Sequence, residues 1–346
     1  MSQLQVNRIN DASGGVLAPI SSVMRNRIIN GAMLLNQRGF SGTVTADGNY
    51  GLDRWQMFSS ASSKYSLSQS SDAPAGFINS ILVTSLAATS VGATDYYFLR
   101  QCVEGLNCTD LAWGTANAKT VTLSFWVKSS LTGTFGGTLE NNAQNRSYPI
   151  SYTITAANTW EYKSVTVVGD TTGTWLTTNG IGIMVQFGLG VGSTYSDTAG
   201  AWTSKASAWS ATGAISVVGT NGATFYITGV QLEVGTQATS FEYRQYGTEL
   251  QLCQRYYWQC TDSLGQSIST NNITRTPVSV PVPMRAAPTL VSGASFTVGS
   301  GSAGTPLIFI GTGSPATVTA VWIYNSGSAW TLGQAVSLNA GFTAEL

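Results

Sequence analysis

Apolar and polar residues alternate with a period of two along much of this chain, the signature of half-buried β-strands. Val121-Thr122-Leu123-Ser124-Phe125-Trp126-Val127 alternates and then breaks at Lys128-Ser129-Ser130. Tyr148 to Thr155 predicts a second strand, with Pro149 near its start, where a missing N–H is tolerated. Tyr162 to Val168 predicts a third, closed by the turn Gly169-Asp170. Ile181 to Phe187 and Thr224 to Val234 predict two more, entered through Asn179-Gly180 and Asn221-Gly222. Asn-Gly supplies the positive φ angles of tight hairpin turns. Short strands with closely spaced turn signals predict an all-β fold, a jelly-roll β-sandwich.

The pattern also divides the chain. Residues 1–25 form an N-terminal docking arm, with Leu4 to Ile9 strand-like and Asp11 to Gly15 turning it. The arm has no core of its own and is expected to dock on a neighbour. The jelly-roll domain spans 26–244. Residues 245–260 are a linking helix, because Tyr246 to Gln259 is the one segment with helical spacing. Leu250, Cys253 and Tyr257 fall at i, i+3 and i+7 and make a narrow apolar face, a candidate oligomer interface. Residues 261–346 form a smaller C-terminal β domain, with β-like segments at Thr276–Val282, Leu307–Ile310 and Val318–Tyr324.

Composition changes the picture more than length does. Only 9% of the 346 residues are charged, against roughly 25% in an average soluble domain. The 16 basic and 16 acidic residues cancel and there is no histidine. A scattered, balanced charge offers no field for nucleic acid, and near-zero net charge favours self-association. Without histidine there is no Ser-His-Asp or Cys-His arrangement, and the commonest acid–base residue near neutral pH is missing. No run of residues approaches the apolar length of a membrane span. The N-terminus lacks the apolar core of a signal peptide, so synthesis in the cytoplasm is expected.

The remaining chemistry is aromatic, amide and hydroxyl. Trp113, Trp160, Trp175, Trp202 and Trp209 lie in or beside Gly/Ser/Thr-rich loops. A pyranose presents an apolar CH face and a polar rim, which aromatic rings beside loop hydroxyls complement. Trp202 and Trp209 are the first candidates for a glycan platform, with Trp113 and Trp175 next; for Trp202 and Trp209, core or interface packing is the equal alternative. Trp126, inside a strand, reads as a packing residue. Among the carboxylates, Asp53, Glu104, Asp110, Glu161, Asp170, Asp197, Glu233 and Glu242, no local motif singles out the pair that a glycosidase needs. Glu233 and Glu242, near the end of the domain, are placed to offer oxygen ligands to a calcium ion, a weak signal against solvated or capping carboxylates. Otherwise no cofactor or metal is called for. Cys102 and Cys108 flank a short loop and are either a disulfide or packed thiols.

Several segments together resemble bacteriophage tail-fibre and related virion fibre proteins. Asn30-Gly31-Ala32-Met33, Gln37-Arg38-Gly39 and Leu52-Asp53-Arg54-Trp55 are similar to the opening of their carbohydrate-binding-module-like jelly roll. Leu123 to Ser129 resembles a central strand. Gly229 to Gly235 with Phe241-Glu242-Tyr243-Arg244 resembles the closing strand and exit, and Cys253-Gln254-Arg255-Tyr256-Tyr257 and Pro283 to Thr289 the segments that follow. Their order, from Asn30 to Thr289, carries the resemblance. It implies a virion structural protein, made in the host cytoplasm. Such a protein is a tail-fibre or spike subunit, often a homotrimer, that meets other virion proteins and host surface polysaccharide without catalysis. A capsid decoration or head-fibre subunit without its own ligand is the alternative, and a glycan-cleaving spike the third.

Overall fold

The structure is a computed structural model that describes residues 24–260, 280–291 and 344–346. It also describes the strand segments 9–10, 16–17, 263–266, 273–276, 295–298, 302–304, 309–310, 321–324 and 335–343. The chain divides into two compact units: Met1–Leu34, Ser41–Asn49 and Trp55–Arg244 form the first, and Leu35–Phe40, Tyr50–Arg54 and Gln245–Leu346 the second.

The first unit is an antiparallel sandwich. Its strands are β1 (Gly42–Thr43), β2 (Gln56–Ser59), β3 (Tyr65–Ser70), β4 (Ser80–Ser85), β5 (Tyr96–Glu104), β6 (Val121–Ser129), β7 (Gly133–Glu140), β8 (Ser147–Ile154), β9 (Glu161–Val167), β10 (Ile181–Val191) and β11 (Thr224–Val234). One sheet contains the order β8-β7-β10-β5-β2 and the other runs β9-β6-β11-β4-β3-β1. Crossovers between the two sheets make the jelly roll that the strand pattern predicts. The alternation fixes which side chains meet inside. Val121, Leu123, Phe125 and Val127 of β6 are fully buried, facing Phe187 of β10 and Tyr152 of β8. Trp55 closes the core near Phe187 and donates its indole N–H to the Asn30 carbonyl at 3.2 Å.

Two strands run further than the alternation predicts. β6 continues through Lys128-Ser129, because Thr224 to Val234 pairs with it to the end. β10 absorbs the glycine-rich Gly188-Leu189-Gly190, with a register shift between Gly188 and Gly190 opposite β5. That is the bulge a glycine inside a strand signals.

The second unit departs from the sequence reading at its helix. α1 covers Tyr246–Gln254 and stops there, with the Arg255 N–H donating to the Gln251 carbonyl at 3.2 Å. The aromatic run that follows has strand propensity, and β12 (Tyr257–Cys260) pairs antiparallel with β13 (Ala335–Thr343). A long-range partner thus overrides the helical spacing. Leu35–Phe40 and Tyr50–Arg54 join this unit through a polar cluster. Asp53 accepts from the Gln37 backbone at 2.6 Å and its side chain at 2.7 Å, Arg38 lies 3.7 Å over the Tyr257 ring, and buried Arg54 pairs with Glu345.

Of the C-terminal segments, strands occur at Ile273–Thr276, Phe309–Ile310 and Val321–Tyr324, within or beside the three predicted stretches. The remainder of those stretches lies outside the described residues, except 280–282, which are not strand. In the arm, Ile9–Asn10 pairs antiparallel with Val16–Leu17; the predicted turn 11–15 and residues 1–8 lie outside the described residues. Among the described residues, no helix is long and apolar enough to cross a membrane.

Candidate functional site

Three of the four candidate tryptophans converge at one end of the sandwich, each brought by a different loop. Trp113 follows the short turn Thr109–Leu111, Trp175 sits between β9 and β10, and Trp202 lies between β10 and β11. Their ring centroids are 4.7 Å apart for Trp113–Trp175, and 5.4 Å for each of the other two pairs. All three pairs meet edge to face, the arrangement aromatic quadrupoles favour. Tyr148 of β8 adds a fourth ring 5.3 Å from Trp202.

Hydrogen bonds fix each indole. Trp113 donates to the Lys119 carbonyl and Trp202 to the Val168 carbonyl, both at 2.7 Å, and Trp175 donates to the Thr172 carbonyl at 3.2 Å. Arg146 grips Asp170 with two bonds of 2.8 and 2.7 Å and lies 5.9 Å from the Trp202 ring. Burial alone raises the Asp170 carboxyl, but Arg146 and the donors of Thr172 outweigh it and hold it below the usual carboxylate range. Trp113 is buried, whereas Trp175 and Trp202 are half-buried. The void behind Trp113 and Trp175 is about 20 Å³, room for a single water. Any larger ligand therefore meets this cluster on the outside, at Trp175 and Trp202. Arg146, Asp170 and Tyr148 belong to the site and carry no local signal in the sequence; only folding brings them there.

Trp209 is elsewhere. It is 9% exposed and stacks on Tyr195 with centroids 4.4 Å apart, with Tyr96 at 4.9 Å and Phe98 at 5.2 Å. The reading of Trp209 as an exposed platform gives way to its packing alternative. With Ser210–Ala211 it covers the outer face of the β8-β7-β10-β5-β2 sheet. A Cβ on Gly136 would lie 2.3 Å from the Ser210 hydroxyl, and one on Gly188 2.8 Å from it, so two glycines make the room. Beneath this cover Glu140 is fully buried, accepting from Ser147 at 3.1 Å and from Gln186 at 2.8 Å. Burial pushes its carboxyl up to about 7, against the opposing pull of Ser147, Arg100, Gln186 and Trp209.

The other candidates are placed as follows. Cys253 and Tyr257 are buried within the chain and Tyr257 is on β12, not on the helix, so the three-residue helical face does not form; Leu250 is half-buried. Glu242 accepts backbone N–H bonds from Met24 at 2.7 Å, Arg25 at 3.2 Å and Asn26 at 2.9 Å. Glu233 accepts from the Thr239 hydroxyl at 2.6 Å and its N–H at 2.8 Å. Glu242 thus joins the two ends of the domain by hydrogen bonds, whereas Glu233 fastens the segment that leaves β11. Among the described residues no group of three or more His, Cys, Asp or Glu is placed to hold a metal ion. All four cysteines are buried thiols, and burial pushes Cys108 up to about 12. Trp126 is not a core residue: the odd-numbered positions of β6 fill the sandwich, so Trp126 faces outward and is half-buried.

The chain is similar to several solved structures. The enzymatically active domain of bacteriophage CBA120 tailspike protein 4 is 13% identical, with a TM-score of 0.35; the match covers 61% of this chain and 22% of that one. A putative sugar binding protein from Bacteroides thetaiotaomicron is 10% identical over 61% of this chain and all of that one, with a TM-score of 0.38. The TmCBM61 module in complex with beta-1,4-galactotriose is 10% identical over 61% of this chain and 99% of that one, at 0.30. No protein-family model and no curated protein matches the chain.

Proposed function

We propose that this chain is a virion structural protein, a tail-fibre or spike subunit that attaches to host cell-surface glycan without cleaving it. The observation that carries the reading is the loop-end cluster. Trp175 and Trp202 present half-buried ring surface from rigidly hydrogen-bonded loops rich in Thr, Gly and Ser, beside the Arg146–Asp170 pair. Fixed rings cover a sugar's CH face at little entropic cost, and neighbouring hydroxyls serve its rim. The ordered segments that resemble virion fibre proteins support the biological setting, and a homotrimer is the assembly we propose from them. Of the predicted interface residues, half-buried Leu250 is the one left with surface to meet another subunit.

Glu140 is the main-domain carboxyl that burial brings to about 7, and the Trp209 cover separates it from solvent. Its place supports binding rather than hydrolysis. A glycan array probed with the purified chain tests the reading: selective retention on surface polysaccharide is expected. Retention on no glycan overturns it in favour of a decoration subunit, and release of reducing sugar overturns the non-enzymatic part.

A further inference from the structure

We propose that the outer face of the β9-β6-β11-β4-β3-β1 sheet holds a second saccharide site, separate from the loop-end cluster and selective for a neutral sugar. It rests on the reading above for its ligand class alone. The site is an open groove of about 510 Å³, within the range of small-molecule sites. Trp126 of β6 and Tyr162 of β9 are cross-strand neighbours with centroids 5.4 Å apart and form one side. The opposite wall is a triangle of Phe77, Phe241 and Tyr243, with centroid separations of 5.0 to 5.5 Å. The Tyr243 hydroxyl anchors this wall by donating to the Gly76 carbonyl at 3.0 Å.

The backbone is shaped for the groove. β11 bulges between Thr228 and Gln231, and Gly229 there has φ of +61°. A Cβ on Gly229 would lie 2.7 Å from the Phe77 ring and 3.1 Å from Trp126. Glycine lets the two rings approach over the strand.

The lining chemistry names the ligand. The groove's polar side-chain groups are the hydroxyls of Ser124, Thr239, Ser240, Tyr162 and Tyr243 and the indole N–H of Trp126, and no charged residue lines it. Thr239 spends its proton on Glu233 and accepts from the Gln231 amide, leaving one lone pair for a donor such as a sugar hydroxyl. Tyr162 is 43% exposed and Tyr243 59%. Exposed ring surface with charge-free hydroxyls matches the CH faces and rims of a neutral sugar, and offers nothing to an anionic one.

The test is calorimetric titration of the full chain with a panel of neutral gluco-, galacto- and xylo-oligosaccharides. Binding is expected to survive in the W175A/W202A double variant. Adding Tyr162→Ala or Trp126→Ala to that background is then expected to weaken it about tenfold or more. Tyr162 is exposed enough that its removal leaves the fold intact, which an unchanged Tm verifies. Binding that vanishes in the double variant overturns the second site and leaves the first. Binding lost with Tyr162→Ala but unaffected by W175A/W202A upholds this site and overturns the loop-end placement. No binding by the parent chain, or occupation of the groove by a proline-rich peptide and not by a sugar, overturns the proposal.

Discussion

The outer faces of the two sheets treat similar residues in opposite ways. On the β8-β7-β10-β5-β2 sheet the outward side chains include Gln186 and Glu140, which are fully buried where Trp209 and Ser210–Ala211 cover the sheet. On the β9-β6-β11-β4-β3-β1 sheet Trp126 and Tyr162 stay open above a groove. The difference comes from the connections. The segment between β10 and β11 folds back over the first sheet, whereas Thr236–Tyr243 crosses only part of the second, capping Gln231 and Glu233. An aromatic residue's role is therefore set by whether a connection crosses its face. A tryptophan under a cover holds the fold; one beside the edge of a cover is available to a ligand.

The largest effect that sharpens this contrast is Trp209→Ala. Removing a buried indole is expected to cost about 3–5 kcal/mol and to lower Tm by several degrees. Thermal denaturation checks it, and an unchanged Tm breaks the account of the sealed face. Next is the pH dependence of Glu140. Its carboxyl is raised to about 7 in the folded chain, against roughly 4.3 when unfolded. Its contribution is therefore full below pH 4 and is lost as pH rises through 7, a change of roughly 4 kcal/mol. Denaturant titrations from pH 4 to 8 should show this slope, and Glu140→Gln should flatten it.

Smaller effects are expected on the open face. Gly229→Ala places a side chain at positive φ and against Phe77, and about 1–2 kcal/mol of destabilisation is expected. Tyr162→Ala is expected to change stability by less than about 0.5 kcal/mol. A large loss there would mean that the open rings are structural.

The sandwich was legible where alternation is strict, as in β6 and β11. The same alternation held an unused signal: with Leu123 and Phe125 inside, Trp126 must face out. The helical spacing runs past Gln254 because Tyr257 falls in step with Leu250 and Cys253, while the β13 partner that claims it lies more than seventy residues away. Gln37-Arg38 and Asp53-Arg54 stood out as motifs, but their shared polar cluster with Glu345 became visible only on folding. For the candidate site, loop composition pointed to the tryptophans. It did not separate Trp209 from Trp202, because a cover is a tertiary feature. Glu140 carried no sequence signal at all.

The central claim is that the loop-end rings of Trp175 and Trp202 bind glycan while the covered Trp209 holds the fold together. Equilibrium binding of an array-selected glycan to the parent chain and to W175A/W202A tests it most directly, with Tm followed alongside. The account predicts affinity reduced about tenfold or more while the chain stays folded. Parent-like affinity in the double variant, or a parent chain that binds no glycan, would contradict it.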